Sequence, residues 1–67
     1  MTSDLTTLTA GQTNSGTWRV LYDGNILGDD RGYASRAAAL AEIDNRLAID
    51  ARDAVRFDRP LLYVKGA

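Results

Sequence analysis

Residues 35–48 read Ser-Arg-Ala-Ala-Ala-Leu-Ala-Glu-Ile-Asp-Asn-Arg-Leu-Ala. Strong helix formers dominate the run, and neither Gly nor Pro interrupts it. Ser35 precedes the run and is a residue type whose hydroxyl accepts a bond from a free helical N–H. Ala37, Leu40, Ile43 or Asp44, and Leu47 recur at helical spacing and define one stripe. Glu42 and Arg46 make an i, i+4 ion pair in the favourable order. The far end is less defined. No Gly or Pro occurs between Tyr33 and Arg59, and the stripe can be extended through Ala51, Ala54 and Val55. Asp50 followed by Asp53 at the third position instead suggests a cap. The pattern is read as a break near Ala48–Asp50, with a short second helix beyond it.

Upstream, residues 17–22 are Thr-Trp-Arg-Val-Leu-Tyr. Trp18, Val20 and Tyr22 alternate onto one strand face, Arg19 and Leu21 onto the other. Asp23-Gly24 follows, a favoured pair for a two-residue type I′ hairpin turn. That turn would set Tyr22 opposite Asn25, Leu21 opposite Ile26 and Val20 opposite Leu27. Both faces then carry apolar groups, so a second cover is expected, from the tail or from another subunit. Residues 28–32, Gly-Asp-Asp-Arg-Gly, form a polar loop, and residues 11–16 have loop composition. Residues 5–10, Leu-Thr-Thr-Leu-Thr-Ala, suit a first strand.

Downstream, residues 60–65 read Pro-Leu-Leu-Tyr-Val-Lys. Pro60 can open a strand without losing a needed donor. Leu61 and Tyr63 take one face, Leu62 and Val64 the other. The element order is β-β-β-α-(α)-β in a single domain over residues 1–67. The expected class is α+β: a three-stranded antiparallel sheet, one main helix packed on it, and a C-terminal strand open to exchange in a dimer.

At 67 residues, one core is marginal, because burial and ordering nearly cancel. Chains of this size usually add disulfides, a metal or a partner. The absence of Cys and His excludes disulfides and the usual zinc sites. Self-association remains, and a homodimer is expected. The net charge of −1 lacks the basic excess of a nucleic-acid binder. Seven of the eight cations are Arg and eight of the nine anions are Asp, a skew better explained by a GC-rich genome than by a bidentate binding role. No apolar run reaches transmembrane length, and Met1-Thr2-Ser3-Asp4 lacks the basic and apolar character of a signal peptide. The expected location is the cytoplasm.

Catalytic, metal and phosphate patterns are weak. Ser-His and Cys-His nucleophile systems require residues the chain does not have. Asp29 and Asp30 are better read as a solvated turn than as a metal or acid/base pair. The stretch from Asp23 has Leu27 and Ala34 where a calcium loop needs oxygen donors. Gly24, Gly28 and Gly32 fit turns and match no phosphate-binding pattern. The arginines from Arg36 to Arg59 alternate with acidic residues, as on a solvated mixed-charge face. Trp18, Tyr22, Tyr33, Phe57 and Tyr63 suit a core first and a contact surface second.

Gly32-Tyr33-Ala34-Ser35-Arg36-Ala37-Ala38-Ala39-Leu40, with Trp18-Arg19-Val20 and Gly24-Asn25-Ile26-Leu27 before it, resembles the YegP-like family of small bacterial domains. The match covers residues 17–47. The resemblance implies a β(3)-α-β unit, and pairing of two units into one sheet with exchanged C-terminal strands. It supplies no catalytic residue. The aspartates of residues 28–32 and the segment 48–59 depart from its pattern.

The functional expectation is a non-catalytic protein-binding module without a cofactor, a homodimeric accessory or inhibitor protein. Its candidate interface is Trp18, Leu21, Ile26, Leu62, Tyr63 and Val64. One alternative is an inhibitor from a phage or mobile element, such as an anti-CRISPR protein. Another is a small nucleic-acid-binding module using the exposed sheet face, where Arg19 stands.

Overall fold

A computed structural model describes residues 5–26 and 32–66. Its elements are β1 (Thr6–Gln12), β2 (Trp18–Tyr22), α1 (Arg36–Arg56) and β3 (Tyr63–Lys65). The sheet order is β2-β1-β3, and α1 packs on one face. The α+β class is as expected. The sheet is mixed, however, not antiparallel throughout: β1 pairs antiparallel with β2 and parallel with β3.

The β1–β2 register sets Leu8 opposite Tyr22, Ala10 opposite Val20, and Gln12 opposite Trp18. Side chains alternate along a strand, so all six face the helix. Thr7, Thr9, Gly11, Arg19 and Leu21 therefore occupy the opposite face. A Cβ on Gly11 would lie 2.6 Å from Leu21 Cδ1, so the Leu21 side chain would have to shift. In the parallel pair, Thr6 meets Tyr63, Thr7 meets Val64 and Leu8 meets Lys65. Tyr63 thus faces the helix and Val64 the open side.

The Asp23-Gly24 turn forms as the sequence predicts. Both residues have positive φ, 54° and 84°, as type I′ requires. Tyr22 and Asn25 exchange backbone bonds of 2.8 and 3.0 Å. The full third strand expected beyond the turn is reduced, among the described residues, to two isolated bridges, Tyr22–Asn25 and Trp18–Tyr33. A continuous hairpin would put position 29 opposite Trp18; Tyr33 takes that place, four residues later. The expected partner of Val20, Leu27, lies outside the described residues, as do Asp29 and Asp30.

Ser35 caps α1, its hydroxyl accepting the Ala38 N–H at 3.1 Å. The helix then runs unbroken to Arg56, correcting the expected break near Ala48–Asp50 and removing the second helix. The inward stripe is Ala39, Ile43, Leu47, Asp50 and Ala54, with Leu40 beside it, whereas Ala37 is exposed. Leu8, Val20, Tyr22 and Ile43 form the core, with Ala10, Tyr33, Leu40, Leu47 and Tyr63 packed around it.

The helix ends in a Schellman motif. Arg59 donates its N–H to Ala54 O at 2.9 Å, and Asp58 donates to Val55 O at 3.4 Å. Asp58 takes the left-handed position at φ 50°, which Gly usually fills. The chain then returns through Pro60, Leu61 and Leu62. The last strand begins at Tyr63, later than the expected Pro60.

Candidate functional site

The sequence-selected residues fall into separate environments. Trp18 is half-buried on the helix side of β2 and exchanges backbone bonds of 2.9 and 2.7 Å with Tyr33. Leu21 lies over Gly11 on the open face. Ile26 is exposed just beyond the turn. Together Leu21 and Ile26 border an open groove with Gln12, Thr13, Asn14 and Asn25. Val64 is exposed on the open face beside Thr7. Tyr63 turns inward, its ring edge-on to Tyr22 at 6.1 Å between centroids. Leu62 is exposed at the entrance to β3.

Leu62 and Tyr63 belong to a cleft that the sequence reading did not find. Its other walls come from α1 and the return segment: Arg46, Ile49, Asp50, Asp53 and Arg59. The geometry is set by Asp50, which is only 3% exposed although it lies inside the helix. One carboxylate oxygen, Oδ2, accepts the backbone N–H groups of Leu62 at 2.9 Å and Tyr63 at 3.1 Å. The other, Oδ1, accepts Arg59 Nη1 at 2.9 Å. Arg59 Nη1 also donates to the Pro60 carbonyl at 2.9 Å. A buried carboxylate needs such partners. Here they are drawn from the chain that follows the helix, so Asp50 ties β3 to α1.

Burial by itself raises the pKa of Asp50. The Leu62 N–H, the Arg59 guanidinium and the Tyr63 N–H act the other way and prevail, so the carboxyl titrates below its ordinary value of 3.8. The sequence did carry a signal for this residue. Asp50 continues the stripe of Ile43 and Leu47 at i+3 or i+4 spacing, a charge at a core position that requires a partner.

Around the cleft, Arg46 is held by Glu42, its Nε donating to Oε2 at 2.9 Å, and by the Tyr22 hydroxyl. Its guanidinium also lies 5.6 Å from the Tyr22 ring centroid. Arg59 is committed to Asp50. The Asp53 side chain has no hydrogen bond or ion pair among the described residues, although its backbone carbonyl accepts the Phe57 N–H. Lys65 meets Asp44 at 3.1 Å on the exposed surface, a contact of small energetic weight.

Among the described residues, no group of three or more acidic side chains is arranged to hold a metal ion, and no helix is long and apolar enough to cross a membrane. Arg19 Nε is buried on the open sheet face with no hydrogen-bond partner among the described residues. Comparison with protein-family models, curated proteins and solved structures finds no match to this chain.

Proposed function

We propose that the chain is a non-catalytic protein-binding module that works as a homodimer, in an accessory or inhibitory role. The observation that carries this reading is that, among the described residues, a helix packs on one face of the sheet alone. α1 covers one face, and the other presents Leu21 and the 42%-exposed Val64 among threonines. Further large apolar side chains, Ile26, Ile49, Phe57, Leu61 and Leu62, are 42–62% exposed. Among the described residues only five apolar side chains are buried, so that is much apolar surface left in water. A standard interface removes about 800 Å² per partner, roughly a sixth of this chain's 4832 Å², so one sheet face and its margins would suffice. Pairing of two chains is also what the YegP-like resemblance implies.

Light scattering on a sizing column tests the reading. A mass near twice 7.3 kDa supports it, provided that Val64→Asp returns the protein to a folded monomer. A wild-type monomer at every concentration removes the dimer. It leaves protein binding to be judged on a different partner.

A further inference from the structure

A cleft lies between the C-terminal half of α1 and the entrance to β3. Its apolar floor is Ile49, Leu62 and Tyr63. Its volume is about 160 Å³, below the roughly 300–1,000 Å³ of small-molecule pockets, so it is sized for one side chain. Three of the four charges on its walls are already used. Arg46 is held by Glu42 and Tyr22, and Arg59 and Asp50 hold each other. Asp53 alone has no hydrogen bond or ion pair among the described residues. The charge left for a visitor is therefore a single carboxylate beside an apolar floor.

We propose that this cleft receives an arginine or lysine side chain from a basic segment of a partner protein. Such a side chain has the matching division: an aliphatic stem that can lie along Ile49 and Leu62, and a cationic head for Asp53. The Tyr63 ring adds an aromatic surface of the kind that attracts cations. An acidic side chain would meet the Asp53 charge, and a purely aliphatic one would leave that carboxylate partly desolvated without a partner. The proposal rests on the protein-binding reading and names the chemistry of the partner. It does not require the homodimer.

The test is a titration of the isotope-labelled full chain, followed by amide chemical shifts. The probes are blocked tripeptides Ala-Arg-Ala, Ala-Lys-Ala, Ala-Leu-Ala and Ala-Glu-Ala. The cationic probes should shift the amides of Ile49, Asp53, Leu62 and Tyr63 with millimolar affinity, as one side chain allows. Asp53→Asn, which preserves shape and the helix backbone, should weaken them about threefold to fivefold. The leucine and glutamate probes should not produce the same shifts. An equal response to all four probes, an unchanged response in Asp53→Asn, or no response to the cationic pair overturns the proposal. If Asp53→Asn instead converts a dimer to monomer, the occupant is a second copy of this chain and the foreign-segment proposal falls. A monomeric wild type with intact cationic binding would remove the homodimer and leave this site standing.

Discussion

The Asp50 carboxylate accepts the Leu62 N–H at 2.9 Å, so a helix side chain fixes where the last strand begins. The same oxygen takes the Tyr63 N–H, and the other takes Arg59. Only three residues of β3 pair with β1. The strand therefore depends on this carboxylate as well as on the sheet.

Acid should loosen the molecule through this group. The folded-state pKa of Asp50 is depressed below 3.8, so in the interval beneath that value the unfolded chain binds the extra proton. Stability falls as pH falls through this range, and the Asp50 contribution is gone once pH is below the folded pKa. Urea denaturation midpoints measured between about pH 6 and pH 2 should decline at the acid end. Asp50→Asn should lower the neutral midpoint and flatten that decline. A variant as acid-sensitive as wild type would place the effect on other carboxylates.

Asp58→Gly should stabilise the chain. Asp58 sits at φ 50°, where a side chain costs roughly 1 kcal/mol and Gly costs less. Chemical denaturation should show a gain of about 0.5–1 kcal/mol. Asp58→Val should move the midpoint in the other direction.

Ser35→Ala removes the acceptor for the Ala38 N–H and should cost about 1 kcal/mol. Ser35→Asp should restore most of it. Thermal melts of the three proteins decide the matter.

Gly11→Ala should destabilise by about 1–3 kcal/mol, because the new methyl meets Leu21 Cδ1 at 2.6 Å. The penalty should shrink in a Leu21→Ala background. A double-mutant cycle in which the two changes simply add would show that the contact is not the cause.

Ile43→Ala empties a fully buried position on α1 and should cost about 2–5 kcal/mol. Folded domains hold roughly 0.05–0.15 kcal/mol per residue, about 3–10 kcal/mol for a chain of this length, so that loss is a large fraction of its stability. Far-ultraviolet circular dichroism at 25 °C should already show partial unfolding.

Local chemistry made some elements legible in the sequence. Ser35 before an alanine-rich run marks a helix start, and Asp23-Gly24 marks a type I′ turn; both signals act within a few residues. The end of α1 was hidden because Asp58 occupies the place where Gly would have announced the stop. Asp50 was read as a cap because Asp is favoured at caps. Its real partners lie on Arg59, Leu62 and Tyr63, and no local rule connects them to it. The direction of β3 depends on how far the helix carries the chain before it turns back. An error of two turns there is enough to hide a parallel pairing. The cleft was missed for the same reason, since Ile49, Asp53 and Leu62 meet only when the helix continues. Trp18 and Tyr63 suit a core first and a contact surface second; Tyr63 packs against the core, and Trp18 is half-buried on β2.

Because β1 lies at the centre of the sheet, it must recruit one neighbour from nearby in the chain and the other from far away. The β1–β2 hairpin can close on a microsecond scale, while Thr6 must wait for Tyr63 until the intervening chain has been ordered. The late arrival is also the shorter and more weakly held neighbour. Without β3, the β1 edge from Thr6 to Leu8 would stand unpaired, the kind of edge that recruits another strand.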